Sequence, residues 1–84
     1  MKLLVTFEII ADSFSCDKTL KAAGHSCRII PEPRNVGVSC NYAVEIQNIE
    51  TEEEVSGILR LLKHNNIDYV HLFRSIHTPQ GETY

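Results

Sequence analysis

The chain has 84 residues, 43% of them hydrophobic and 23% charged, with a formal net charge of −3. That length supports one domain with a single modest core and a surface site rather than a cavity between lobes, and the composition excludes a disordered polyelectrolyte. An acidic balance with no Lys/Arg cluster argues against nucleic acid or an anionic membrane as partner, and no apolar run is long enough to span a bilayer.

The opening stretch MKLLVTFEII lacks a small-residue cleavage site and alternates, placing Leu3, Val5 and Phe7 on one face and Leu4, Thr6 and Glu8 on the other. It reads as a strand rather than a signal peptide. Asp12 or Ser13 then predicts a capped helix running to Ala23, with Ser13, Cys16, Leu20 and Ala23 on its buried stripe and Gly24 as its stop. On that stripe Cys16 packs rather than reacts.

Residues 26–30, SCRII, predict a second strand that stops at Pro31, which has no amide hydrogen to give a ladder. Within it Cys27 alternates with Ile29 toward the core. The loop PEPRNVG follows, and a third strand runs from Val38, with Tyr42, Val44 and Ile46 facing one way and Asn41, Ala43 and Glu45 the other. Thr51 and Glu54 form a capping box for a second helix whose stripe is Val55, Ile58, Leu59 and Leu62. The run Glu50, Glu52, Glu53, Glu54 complements its positive end, Lys63 and His64 its negative end, and Asn65-Asn66 stops it. DYVHLFRSI is the fourth strand, and the polar HTPQGETY is expected to fray.

This order predicts an α+β, ferredoxin-like βαββαβ sandwich over residues 1–76, a four-stranded antiparallel sheet with two helices on one face, followed by a flexible tail, 77–84. The third strand would lie antiparallel beside the first, so Cys40 falls near the N-terminus of the first helix. A thiol becomes a nucleophile as thiolate, and a helix N-terminus with a nearby cation lowers its pKa from about 8.5 toward roughly 7. Arg34 is the candidate cation, Pro31 and Pro33 stiffen the loop, and Gly37 frees its entry into the strand. The plainer reading is that Cys40, in phase with Tyr42 and Val44, is a small buried hydrophobe.

Three cysteines, an odd number with no Cys-x-x-Cys pair, fit reduced thiols in the cytoplasm without a structural zinc. The four histidines are scattered, and no metal site or cofactor is expected. If Val70, Leu72 and Ile76 face the helices, Tyr69, His71 and Phe73 lie on the sheet's uncovered side, where they would serve as a dimer or partner surface or be covered by the tail.

The segment GHSCRIIPEPRNVGVSCNYAVEI resembles the central part of the selenium/sulfur carrier protein-like family of small bacterial proteins. Its pattern is a Gly-ended helix, a strand closing in Ile-Pro-x-Pro-Arg, and a short loop to Ser-Cys-Gly before an apolar strand. Ile30, Pro31, Pro33, Arg34, Ser39 and Cys40 match, and the likeness extends over roughly residues 3–73. Asn41 replaces the glycine after the cysteine, and Ile9-Ile10 replaces polar residues before the first helix. The resemblance implies a carrier rather than a true enzyme. Cys40 would hold a persulfide or selenopersulfide taken from a cysteine desulfurase or another enzyme of selenium metabolism and pass it on. The alternative class is a non-catalytic binding or regulatory module using the open sheet face, and a metal site of His25, Cys27 and Cys40 comes third.

Overall fold

The computed structural model describes residues 1–33 and 42–84. Among these residues six strands and two helices follow in the order β1 (Leu3–Thr6), α1 (Ile10–Ala22), β2 (Cys27–Pro31), β3 (Tyr42–Ile46), α2 (Glu52–His64), β4 (His71–Arg74), β5 (Ile76–Thr78) and β6 (Gly81–Thr83). The first four strands form one antiparallel sheet in the order β2-β3-β1-β4. This is the α+β, ferredoxin-like arrangement read from the sequence, with a two-stranded β5-β6 hairpin added.

Alternation along the strands sets the two sheet faces. Leu3, Val5 and Phe7 join Val44 and Ile46 in the core, where Cys16 and Leu20 of α1 and Val55, Ile58 and Leu62 of α2 cover them. Both helices therefore lie on one face, and Leu72 of β4 packs against the same cluster. Val70 and Ile76, expected beside Leu72, are instead exposed, because β4 covers only His71–Arg74 and Ile76 opens the hairpin.

Helix α2 begins as its sequence requires. The Thr51 hydroxyl accepts from the Glu54 amide at 3.2 Å, and the Glu54 carboxylate reaches back to the Glu50 amide rather than to that of Thr51. Both helices end in the same closed motif. His25 N–H donates to Leu20 O and Gly24 N–H to Lys21 O, as Ile67 N–H does to Leu62 O and Asn66 N–H to Lys63 O. The turn needs a left-handed residue, supplied by Gly24 at φ +90° and Asn66 at φ 55°.

Helix α1 departs from the expected cap. It starts at Ile10, with Ile9 as N-cap and no side-chain capping bond. Asp12 lies in the first turn, and the buried Ser13 donates to Ile10 O at 2.6 Å. Ser13, Cys16 and Leu20 are the buried stripe, but Ala23 is exposed because the helix is already closing there. Pro31 is a strand residue, paired with Tyr42, rather than the stop after one. β2 is a sheet edge, so the missing amide costs no ladder bond on its open side.

The residues expected to fray are folded. β5 and β6 pair across Pro79-Gln80, with Gly81 at φ +120° closing the turn and the Thr78 hydroxyl donating to Gly81 O. No helix among the described residues is long and apolar enough to cross a membrane.

Candidate functional site at the upper sheet edge

The register brings one set of chain ends together. Thr6 pairs with both Ala43 and His71, Pro31 pairs with Tyr42, and Val70 N–H donates to Thr6 O at 2.8 Å. The end of β1, the start of α1, the end of β2, the start of β3 and the link from α2 into β4 therefore share one edge of the sandwich. Among the described residues β2 ends there at Pro31 and β3 begins there at Tyr42. Pro33, just after β2, is half-buried. Arg34, Gly37, Ser39, Cys40 and Asn41 lie outside the described residues, as does the start of the third strand read from Val38.

What surrounds those anchors is described. α1 opens at this edge, its first-turn amides uncapped by any side chain of Ile9, leaving the partial positive charge of a helix start. Ile9, Ile10, Phe14, Tyr42 and Val70 are large hydrophobics left exposed, Ile9 by 58% and Phe14 by 53%. This apolar rim was missed in the sequence. Its signal was present in Phe14, which falls off the Ser13, Cys16, Leu20 stripe and so had to face outward.

The other two thiols are closed off. Cys16 is fully buried, and burial first, then the neighbouring Cys27 and Asp17, push its thiol up to about 12. Cys27 is half-buried, and its Sγ–H points at Asp17 Oδ1 at 3.5 Å and Asp17 O at 3.6 Å. Burial and that hydrogen bond push it up to about 11. Both stay protonated at neutral pH, the form that neither attacks sulfur nor binds metal. Among the described residues no three His, Cys, Asp or Glu side chains come together to hold a metal ion. The His25, Cys27 and Cys40 set includes a residue outside them.

The three aromatic residues of the proposed partner surface are divided. His71 and Phe73 share the face opposite the helices, their rings 5.6 Å apart and tilted by 46°. Tyr69 precedes β4 and lines a groove beside α2 with Leu59, Arg60, Lys63, Ile67 and Asp68. The helix-free face itself carries the hairpin. Glu82 reaches Lys2 at 3.8 Å, and the Tyr84 hydroxyl donates to Glu45 Oε2 at 2.8 Å, both partners being on that face by alternation. Glu45 also accepts from Arg28 and Gln47, and Leu4 beside it is fully buried.

Fold and edge together describe a small α+β domain with one buried and one half-buried, hydrogen-bonded thiol, and with Pro31 and Tyr42, the strand residues on either side of the third cysteine in sequence, paired at an edge that carries exposed apolar side chains. The chain belongs to the family described as "Putative Se/S carrier protein-like", whose sequence model matches residues 2–74. Comparison with curated proteins and with solved structures gave no match.

Proposed function

We propose that this protein carries sulfur or selenium as a persulfide or selenopersulfide on Cys40 and hands it between enzymes. The family match, which spans Cys40, carries this reading. The protonated, buried state of Cys16 and the hydrogen-bonded state of Cys27 support the choice among the three thiols. Pro31, Pro33, Arg34, Gly37, Ser39 and Asn41 shape the loop or stabilise the anion, and the apolar rim of Ile9, Ile10 and Phe14 offers a partner contact beside it.

The step is an exchange at sulfur. The Cys40 thiolate attacks the outer sulfur of a donor's cysteine persulfide, an S–S bond to Cys40 forms, and the bond to the donor cysteine breaks. The donor leaves as thiolate, so the sulfur count and oxidation state are conserved and no external oxidant is consumed. A cysteine desulfurase is the donor class. Passing the outer sulfur to an acceptor thiolate is the same step in reverse.

The test compares two variants after incubation with a cysteine desulfurase and cysteine. Cys40→Ser is expected to stay folded and accept no sulfur, while Cys16→Ala/Cys27→Ala still accepts one. Sulfur uptake by folded Cys40→Ser equal to wild type would remove the reading.

A further inference from the structure

A carrier must be recognised by the proteins it serves, and the molecule has a second surface suited to that. Leu59, Arg60, Lys63, Ile67, Asp68 and Tyr69 line an open groove of about 480 Å³ along α2. Its floor is apolar, since Ile67 and Leu59 belong to the core cluster or its margin and Tyr69 offers a ring that is 40% exposed. Its rim is cationic, and a neighbouring hollow of about 430 Å³ bordered by Arg60, Lys63, His64 and Asn66 extends that charge.

The rim cations differ from four of the five other described Lys and Arg residues, Lys18 being the exception. Lys2, Lys21, Arg28 and Arg74 each meet a carboxylate within 4 Å. Among the described residues Arg60 and Lys63 form no ion pair, in a chain whose net charge is −3. Lys63 and His64 complement the negative end of α2, but Arg60 stands a turn earlier.

The groove also sits at the relevant edge. Asp68 and Tyr69 immediately precede Val70, whose amide is bonded to Thr6 at the edge where β3 begins at Tyr42. Between β4 and β3 there is only β1, a lateral distance of about 10 Å at the usual strand spacing.

We propose that this groove docks an acidic, amphipathic segment of a partner protein. Apolar side chains of the segment fill the Leu59, Ile67 and Tyr69 floor, and its carboxylates pair with Arg60 and Lys63. Two cations beside Asp68 are enough to pair with a few carboxylates of a segment, whereas a nucleic acid backbone would demand a continuous basic surface. The partner's role rests on the carrier reading, whereas the binding itself does not.

The probe is a synthetic peptide alternating Glu with Leu and Phe, titrated into the full ¹⁵N-labelled chain. Saturable amide shifts are expected at residues 59–69, with affinity falling about tenfold in Arg60→Glu/Lys63→Glu and falling also in Tyr69→Ala. Cys40→Ser should bind as wild type, so loss of sulfur uptake and loss of docking are read separately. The proposal is overturned if no saturable shifts reach the groove or if the double variant binds as tightly. It is equally overturned if shifts at Lys18 and Lys21 are as large, or if an oligonucleotide saturates the groove at equal affinity.

Discussion

The hydroxyl of Tyr84 donates to Oε2 of Glu45 at 2.8 Å across 39 residues of sequence, tying the hairpin to the helix-free face of the sheet. The hairpin lies beyond the segment matched by the family, residues 2–74, so this bond ties a segment outside the match to the sheet. Tyr84→Phe keeps the ring and removes the bond to a carboxylate. It is expected to lower stability by about 1–2 kcal/mol, seen as a reduced urea midpoint at unchanged slope. An unchanged midpoint would mean that the hairpin does not hold that face.

Glu45 makes the same contact pH-dependent. Burial alone would raise its pKa, but hydrogen bonds from Tyr84, Arg28 and Gln47, with the Arg28 charge, outweigh burial and hold it below the usual carboxylate range. A carboxyl depressed in the folded state stabilises above its unfolded pKa of about 4.3, and that contribution is lost as pH falls through the folded value. Arg28 is 62% exposed, so solvent screens its share. Glu45→Gln should therefore be less stable than wild type at pH 7, the gap closing below about pH 4.3 in a series of urea midpoints. A gap constant down to pH 3 would show that Glu45 is not held ionised by these partners.

Two glycines should respond oppositely to alanine. Gly24 closes α1 at φ +90° with open space around a would-be Cβ, so Gly24→Ala costs conformational strain alone, about 1 kcal/mol. Gly57 is inside α2, where a Cβ would meet only the end of Arg60 at 3.9 Å, and Gly57→Ala should stabilise by about 0.5–1 kcal/mol. Thermal midpoints moving in the same direction for both would contradict the assigned geometry.

Alkylation should discriminate the thiols. With their thiols pushed up by burial to about 12 and about 11, Cys16 and Cys27 hold little thiolate at pH 8. Iodoacetamide on the native protein is expected to label Cys40 first, with Cys16 and Cys27 reacting at that rate only in urea. Equal labelling of Cys27 under native conditions would mean that its bond to Asp17 does not protect it.

The sequence made the succession of strands and helices legible, because strand alternation and the α2 stripe repeat over enough residues to be read locally, and that succession is the one a ferredoxin-like sheet needs. Helix ends were legible where a residue type is demanded by geometry, as at Thr51, Gly24 and Asn66. The start of α1 was not, because Asp12 and Ser13 look like caps, yet Ser13 is spent on Ile10 O inside the first turn. The hairpin was hidden for another reason. HTPQGETY is polar along its length, and what organises it is distant, the Glu45 and Lys2 side chains on the open face. Tyr69 was grouped with His71 and Phe73 by parity, which fails where the strand has not yet begun. The groove beside α2 depends on how a helix exit lies against its own surface, and no local pattern encodes that.

The most direct measurement is mass mapping of wild-type protein, reduced and then incubated with a cysteine desulfurase and cysteine, with each of the three cysteine peptides read separately. A one-sulfur gain confined to the Cys40 peptide is the expected result. No gain, or equal gains at Cys16, Cys27 and Cys40, would contradict the assignment of Cys40 as the carrying thiol.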